Sequence, residues 1–123
     1  EDWRAATAAV QAGLQEGDAV VLQDQETAIG VLVYRTVKWP YPILQADQIQ
    51  DFEQVMLQYR RVWVMWRSMR ESNHRVSKSE RFDILVQATP LVRDWLAAHK
   101  NQVDLDLQLP GLSVVRVDQS RQP

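Results

Sequence analysis

Two short apolar runs, Ala19-Val20-Val21-Leu22 and Val62-Trp63-Val64-Met65-Trp66, constrain this chain more than any other feature. Neither alternates with polar residues, so neither suits a strand with one face in water. A continuous apolar strand is buried on both faces, as in a parallel sheet covered by helices. Helical patterns precede both runs. Behind the N-cap Asp2, residues Trp3, Ala6, Val10 and Leu14 recur at helical spacing, and Gly17 supplies a stop, so a helix is expected over residues 3–15. Ile49, Phe52, Met56 and Tyr59 form a second stripe, with Asp47 and Gln50 spaced as a capping box and Arg60-Arg61 at the end.

The remaining segments fit between these units. Glu26 to Arg35 carries both helical and strand patterns and is read as a helix. Pro40 and Pro42 hold the backbone extended around Tyr41, which places a short edge strand at Ile43-Leu44. Thr89-Pro90 reads as an N-cap and first helical residue, followed by Leu91, Val92, Trp95 and Leu96 on one face. Val103, Leu105, Leu107 and Leu109 alternate with polar residues before the turn signal Pro110-Gly111, and Leu112 to Asp118 returns as a hairpin. Between Arg67 and Gln87 the pattern dissolves into a long polar connection, with a short helix expected at Phe82 to Val86. The expected architecture is one α/β domain over residues 1–118, with a frayed tail at 119–123. It is read as a Rossmann-like three-layer sandwich with a mostly parallel sheet and a C-terminal antiparallel hairpin.

Composition narrows the function classes. The chain has no cysteine, which excludes disulfides and thiolate metal sites. A net charge of −2 gives no general attraction to nucleic acid, and no apolar run approaches the ~20 residues that cross a bilayer. The opening Glu1 in place of Met suggests a piece of a larger protein. The charge is unevenly spread. From Arg60 to Arg81 the balance is +5, and elsewhere it is −7. A basic connection at a strand end suits anionic headgroups or a lipid phosphate, with Arg67, Arg70, Arg75, Lys78 and Arg81 as the candidate contacts. Set against this is a solvated loop that keeps the chain dissolved. Residues 67–81 contain no aromatic side chain to stack on bases, so nucleic acid is not an expected partner.

Catalytic motifs are not found. No GxGxxG or GxxxxGK[ST] follows a strand, and the turn Asp24-Gln25-Glu26 has no glycine to let backbone approach a phosphate. A phosphorylated receiver domain would need an Asp after its central strand, where this chain has Arg67. Ser68, Ser72, Ser77 and Ser79 lack a nucleophile-elbow context. His74 lies in the polar connection without metal-ligand spacing. His99 reads as a surface histidine that suits a helix C-terminus. No catalytic, cofactor or metal residue is therefore assigned. Four of the five tryptophans fall on expected core positions; Trp39, between Lys38 and Pro40 and close to Tyr41, does not. An exposed Trp39/Tyr41 cluster would be a contact for a glycan or a membrane interface.

Several segments together resemble the C-terminal extramembrane region of glycosyltransferase family 39, relatives of the protein mannosyltransferases. The opening Asp2-Trp3-Arg4-Ala5-Ala6 and the later Glu16-Gly17-Asp18-Ala19-Val20-Val21-Leu22 are similar to that family's segment after its last membrane span. Tyr59-Arg60-Arg61-Val62-Trp63-Val64 resembles its helix-to-central-strand junction, and Leu109-Pro110-Gly111-Leu112-Ser113-Val114 its closing hairpin. The Arg67–Gln87 connection is longer than in sequences of this kind. The resemblance implies a parent enzyme in the cell membrane that transfers sugar from a polyprenyl-phosphate donor, using acidic residues in loops outside this sequence. It implies a non-catalytic accessory role for this domain on the periplasmic side. Its partners would be the transmembrane part of the same polypeptide, and a polyprenyl-phosphate sugar or a glycan acceptor. The alternative is an independent Rossmann-like module that binds a small ligand or a protein.

Overall fold

The computed structural model describes residues 2–35, 39, 41–67 and 90–121. The first helix, α1 (Trp3–Gly13), starts where the Asp2 carboxylate accepts a hydrogen bond from the Ala5 N–H at 3.1 Å. Its buried face is Ala6, Thr7 and Val10. The turn that follows needs a left-handed residue, and Gly17 supplies it at φ +88°. β1 (Asp18–Leu22) is buried at all five positions, as its unbroken apolar run requires. α2 (Gln25–Tyr34) is capped by Asp24, so the ambiguous segment is a helix. β2 (Ile43–Gln45) is a three-residue edge strand, and the carbonyl of Pro42 accepts from the Val20 N–H at 2.9 Å.

The third helix is shorter than its apolar stripe suggests. Asp47 does not cap it: a single 3-10 turn covers Ala46–Gln48, and Ile49 is extended. Asp51 takes the cap instead, accepting from the Gln54 N–H at 3.2 Å, and α3 spans only Phe52–Met56. The helical spacing of Ile49 and Tyr59 survives as packing against the same core without helical backbone at either residue. β3 (Arg61–Arg67) then crosses the centre of the sheet, buried everywhere except Arg67. α4 (Pro90–Ala98) begins at the expected proline. A 3-10 turn at Lys100–Gln102 leads into β4 (Val103–Leu109), and Gly111, at φ +73°, closes the hairpin into β5 (Leu112–Asp118). The expected helix at Phe82 to Val86 lies outside the described residues.

The result is an α/β fold with a five-stranded mixed sheet of order β2-β1-β3-β5-β4. β1 pairs in parallel with both β2 and β3, while β5 runs antiparallel to β3 and β4. Four strands therefore point one way, and the hairpin reverses only β5. Alternation along the strands divides the core in two. Val21, Val62, Val64, Trp66, Val115 and Val117 pack with Phe52, Met56, Val92, Trp95 and Leu96, from α3 and α4. Val20, Leu22, Trp63, Met65, Leu112 and Val114 pack with Ala6, Val10, Ala28 and Val31, from α1 and α2. Packing does not stop at the end of β5, where a frayed tail was expected. The Gln119 side chain donates to the carbonyls of Met56 at 2.6 Å and Tyr59 at 2.7 Å, and its backbone N–H donates to Arg60.

Candidate functional site

In open α/β sheets, ligands collect at the carboxyl ends of strands, where successive connections leave in opposite directions. From β1 the chain passes to β2 on one side, and from β2 it returns to β3 on the other. The divergence point is therefore the carboxyl end of β1 and β3. Gln23, Asp24 and Thr27 follow β1, and Arg67 ends β3. The Asp24 carboxylate accepts from the Thr27 N–H at 2.9 Å and from its hydroxyl at 2.8 Å. Burial raises the pKa of this carboxyl, but the hydrogen bonds from Thr27 and Gln23 and the charge of Arg67 outweigh it, so the net displacement is downward. A phosphate at this helix N-terminus would have to displace a carboxylate already bound to the Thr27 N–H and hydroxyl. Among the described residues this end holds the Gln23 amide and the Arg67 guanidinium, both acting on the fixed Asp24 carboxylate. That set can orient a polar ligand but has no nucleophile–base pair.

The strongest polar constellation lies at the opposite end, where β1 and β3 begin. Asp18 and Arg61 are register partners at the first positions of the two strands, and both are buried. Arg61 Nε donates to Asp18 Oδ1 at 2.9 Å, and Arg61 Nη2 donates to Oδ2 at 2.7 Å. The same Oδ2 accepts from Trp63 Nε1 at 2.9 Å and from the Gln15 N–H at 3.0 Å. Arg61 Nη2 also reaches the Gly13 carbonyl at 2.6 Å, which ties α1 to β3. Burial pushes the Asp18 carboxyl up, and the donors Arg61, Trp63 and Gln15 together with the Arg61 charge more than reverse it, leaving its pKa lowered. The Arg61 guanidinium is correspondingly held more firmly protonated by its bonds to Asp18. Four donors meet this carboxylate, one on Oδ1 and three on Oδ2, so it holds strands and helix together.

Two sequence expectations change here. Trp39 is not an exposed platform: it is 4% exposed, packs in the core beneath α1 and α2, and donates its indole N–H to Gln11 Oε1 at 3.1 Å. Its ring has more to gain from burial than a loop position suggested, and Tyr41 beside it is half-buried. Of the basic candidates, Arg67 is exposed at the end of β3, while Arg70, Arg75, Lys78 and Arg81 lie outside the described residues. His99 is not a surface histidine. Its ring stacks on Trp95 at 4.5 Å between centroids, and Nδ1 faces Gln102 Oε1 at 2.9 Å.

Burial pushes the His99 imidazole below its ordinary 6.5, and Glu53, 3.8 Å from Nε2, only partly offsets this. The folded state therefore prefers the neutral ring, and the unfolded state takes up a proton first as pH falls. Stability from this group is complete above the unfolded pKa and is lost as pH drops toward the folded value. Thermal unfolding measured at about pH 8 and about pH 5.5 should give a lower Tm at the lower pH, and His99→Gln should flatten that difference. An unchanged slope in the variant would remove His99 as its source.

Sequence reasoning did not find the Asp18–Arg61–Trp63 network. The available signal was a pair of opposite charges, each directly before one of the two unbroken apolar runs. Among the described residues, no three His, Asp or Glu side chains converge as metal ligands, and no helix is long and apolar enough to cross a membrane. Comparison with known proteins gives no match to any protein family, curated protein or solved structure.

Proposed function

We propose that this chain is a soluble accessory domain, without catalysis of its own, of a membrane glycosyltransferase that transfers sugar from a polyprenyl-phosphate donor. It lies on the periplasmic side, partnered by the transmembrane part of the same polypeptide and within reach of the donor or a glycan acceptor. On this reading the finer architecture is a Rossmann-like three-layer sandwich, with α1 and α2 on one face of the sheet and α3 and α4 on the other. One observation carries the reading. The separated segments that resemble glycosyltransferase family 39 are bonded to one another in the fold. The Asp2 N–H donates to the Pro110 carbonyl at 3.1 Å, and the Arg60 N–H donates to Gly17 at 3.1 Å. Arg61 and Trp63 close on Asp18. A set of short matches that meet as one framework is stronger support than the same matches scattered over a surface.

The test is the parent gene and its product. Several hydrophobic spans encoded immediately before Asp2, and an intact product that sediments with membranes, are the expected results. An upstream sequence without spans would retire the proposal. The alternative, an independent small-ligand module, is favoured by one feature only, the divergence point with Gln23, Asp24 and Arg67 at the carboxyl ends of β1 and β3. A thermal-shift screen of sugars and nucleotides addresses it. A stabilising ligand whose effect disappears in Asp24→Asn would favour the module.

A further inference from the structure

Helix α2 is apolar on every side from Ala28 to Tyr34, a pattern that belongs to helices covered all round. Here only one side is covered. Thr27, Ala28 and Val31 face the core, and Gly30 lies so close to the Trp3 ring that a Cβ would come within 2.5 Å of it. On the outer side, Ile29 is 52% exposed, Leu32 52%, Val33 66% and Tyr34 42%. These four account for most of the large hydrophobic side chains exposed among the described residues; the other two, Leu57 and Leu91, lie on different elements. The acids of this region, Asp24 and Glu26, stand at the start of α2, and the cations follow its end. From Thr27 to Ala46 the sequence carries Arg35 and Lys38 and no carboxylate, in a chain whose net charge is −2.

We infer that the outer face of α2 is a lipid-contact surface that inserts shallowly into an anionic bilayer leaflet. Size and charge favour this occupant. At roughly 200 Å² per large side chain, four half-exposed residues offer about 400 Å², half of the roughly 800 Å² per partner that a stable protein interface buries. A small apolar patch that ends in Tyr34 and Arg35, with its acids confined to the other end of the helix, matches what a shallow interfacial helix presents to anionic headgroups. The Arg35 stem can lie along the patch while its head reaches phosphate. The inference does not depend on the glycosyltransferase reading. A parent gene without membrane spans would remove that reading and leave this one standing, and the reverse holds for a failure of lipid binding.

Co-sedimentation of the 123-residue chain with vesicles of phosphatidylglycerol and phosphatidylcholine, and with phosphatidylcholine alone, tests it, alongside analytical ultracentrifugation of the free chain. Binding should be stronger to the anionic vesicles. Leu32→Asp with Val33→Asp should weaken it by about tenfold or more, and Arg35→Glu should weaken it on anionic vesicles only. Both positions are solvent-facing, so unaltered thermal unfolding should accompany the loss. Absence of vesicle binding, or binding indifferent to the double aspartate variant, overturns the inference. So does a concentration-dependent dimer that the same variant dissolves, since a second copy would then be the occupant.

Discussion

Asp18→Asn is expected to cost about 3–5 kcal/mol of folding stability, the range for breaking one partner out of a buried ion pair. In a domain of this size that is a fall in Tm of roughly 10–20 °C. The reason is the state of Arg61 after the change. Its guanidinium stays charged and buried, with the Gly13 carbonyl as its remaining short contact and a neutral amide where the carboxylate stood. Replacing both partners with apolar residues, Asp18→Leu with Arg61→Met, should recover much of the loss, because the desolvated charge goes as well. Recovery should be incomplete, since the N–H groups of Trp63 and Gln15 lose their acceptor. The lowered pKa of Asp18 adds a pH signature. Its stabilisation is fully present above the unfolded carboxyl value and is lost as pH falls through the folded one. Wild type should therefore lose stability on acidification below about pH 4, and Asp18→Asn should lose less over the same window. Denaturant unfolding of the three proteins across pH measures all of this. A single-variant cost of about 1 kcal/mol or less would mean that Arg61 re-solvates.

Trp63→Ala is expected to have an effect of similar size, about 3–5 kcal/mol, as for other buried aromatic truncations. The ring is 1% exposed, and its N–H is bonded to Asp18. Arg116 lies 5.1 Å and Arg61 5.8 Å from its centroid. It also fills the space above Gly13, where an added Cβ would stand 2.5 Å from the ring. Gly13→Ala should accordingly destabilise wild type by about 1–3 kcal/mol, although alanine is favoured over glycine in a helix by about 1 kcal/mol. In the Trp63→Ala background the clash is gone, and the same change should be neutral or stabilising. Equal costs of Gly13→Ala in both backgrounds would show that the ring is not what excludes a side chain there.

Much of the fold was legible because burial on both faces leaves a simple mark. Ala19-Val20-Val21-Leu22 and Val62 to Trp66 read as covered strands, and they form adjacent interior strands of the sheet. Capping chemistry located α1 and the proline start of α4. It failed at α3 because Asp47 and Asp51 present the same signal four residues apart, and backbone geometry at Ile49 decides between them. Site residues were less legible. Trp39 looked exposed because prolines and a lysine surround it in sequence, whereas its indole is buried against Gln11 from a different element. Asp18 and Arg61 are 43 residues apart, and their pairing exists only once β1 and β3 are in register. The exposed face of α2 was hidden for the opposite reason. Uniform apolarity says that a helix is covered, not by what.

On the proposed reading, the segments that resemble glycosyltransferase family 39 hold this domain together and perform no chemistry. The most direct test is sugar transfer by the intact gene product from a polyprenyl-phosphate donor, with Trp63→Phe, which keeps a buried ring, compared with wild type. The account predicts an unchanged transfer rate per folded molecule, with a modestly lowered Tm from the lost N–H to Asp18. A rate that collapses while thermal unfolding stays the same would contradict it, because chemistry would then reside in the Asp18–Arg61–Trp63 network itself.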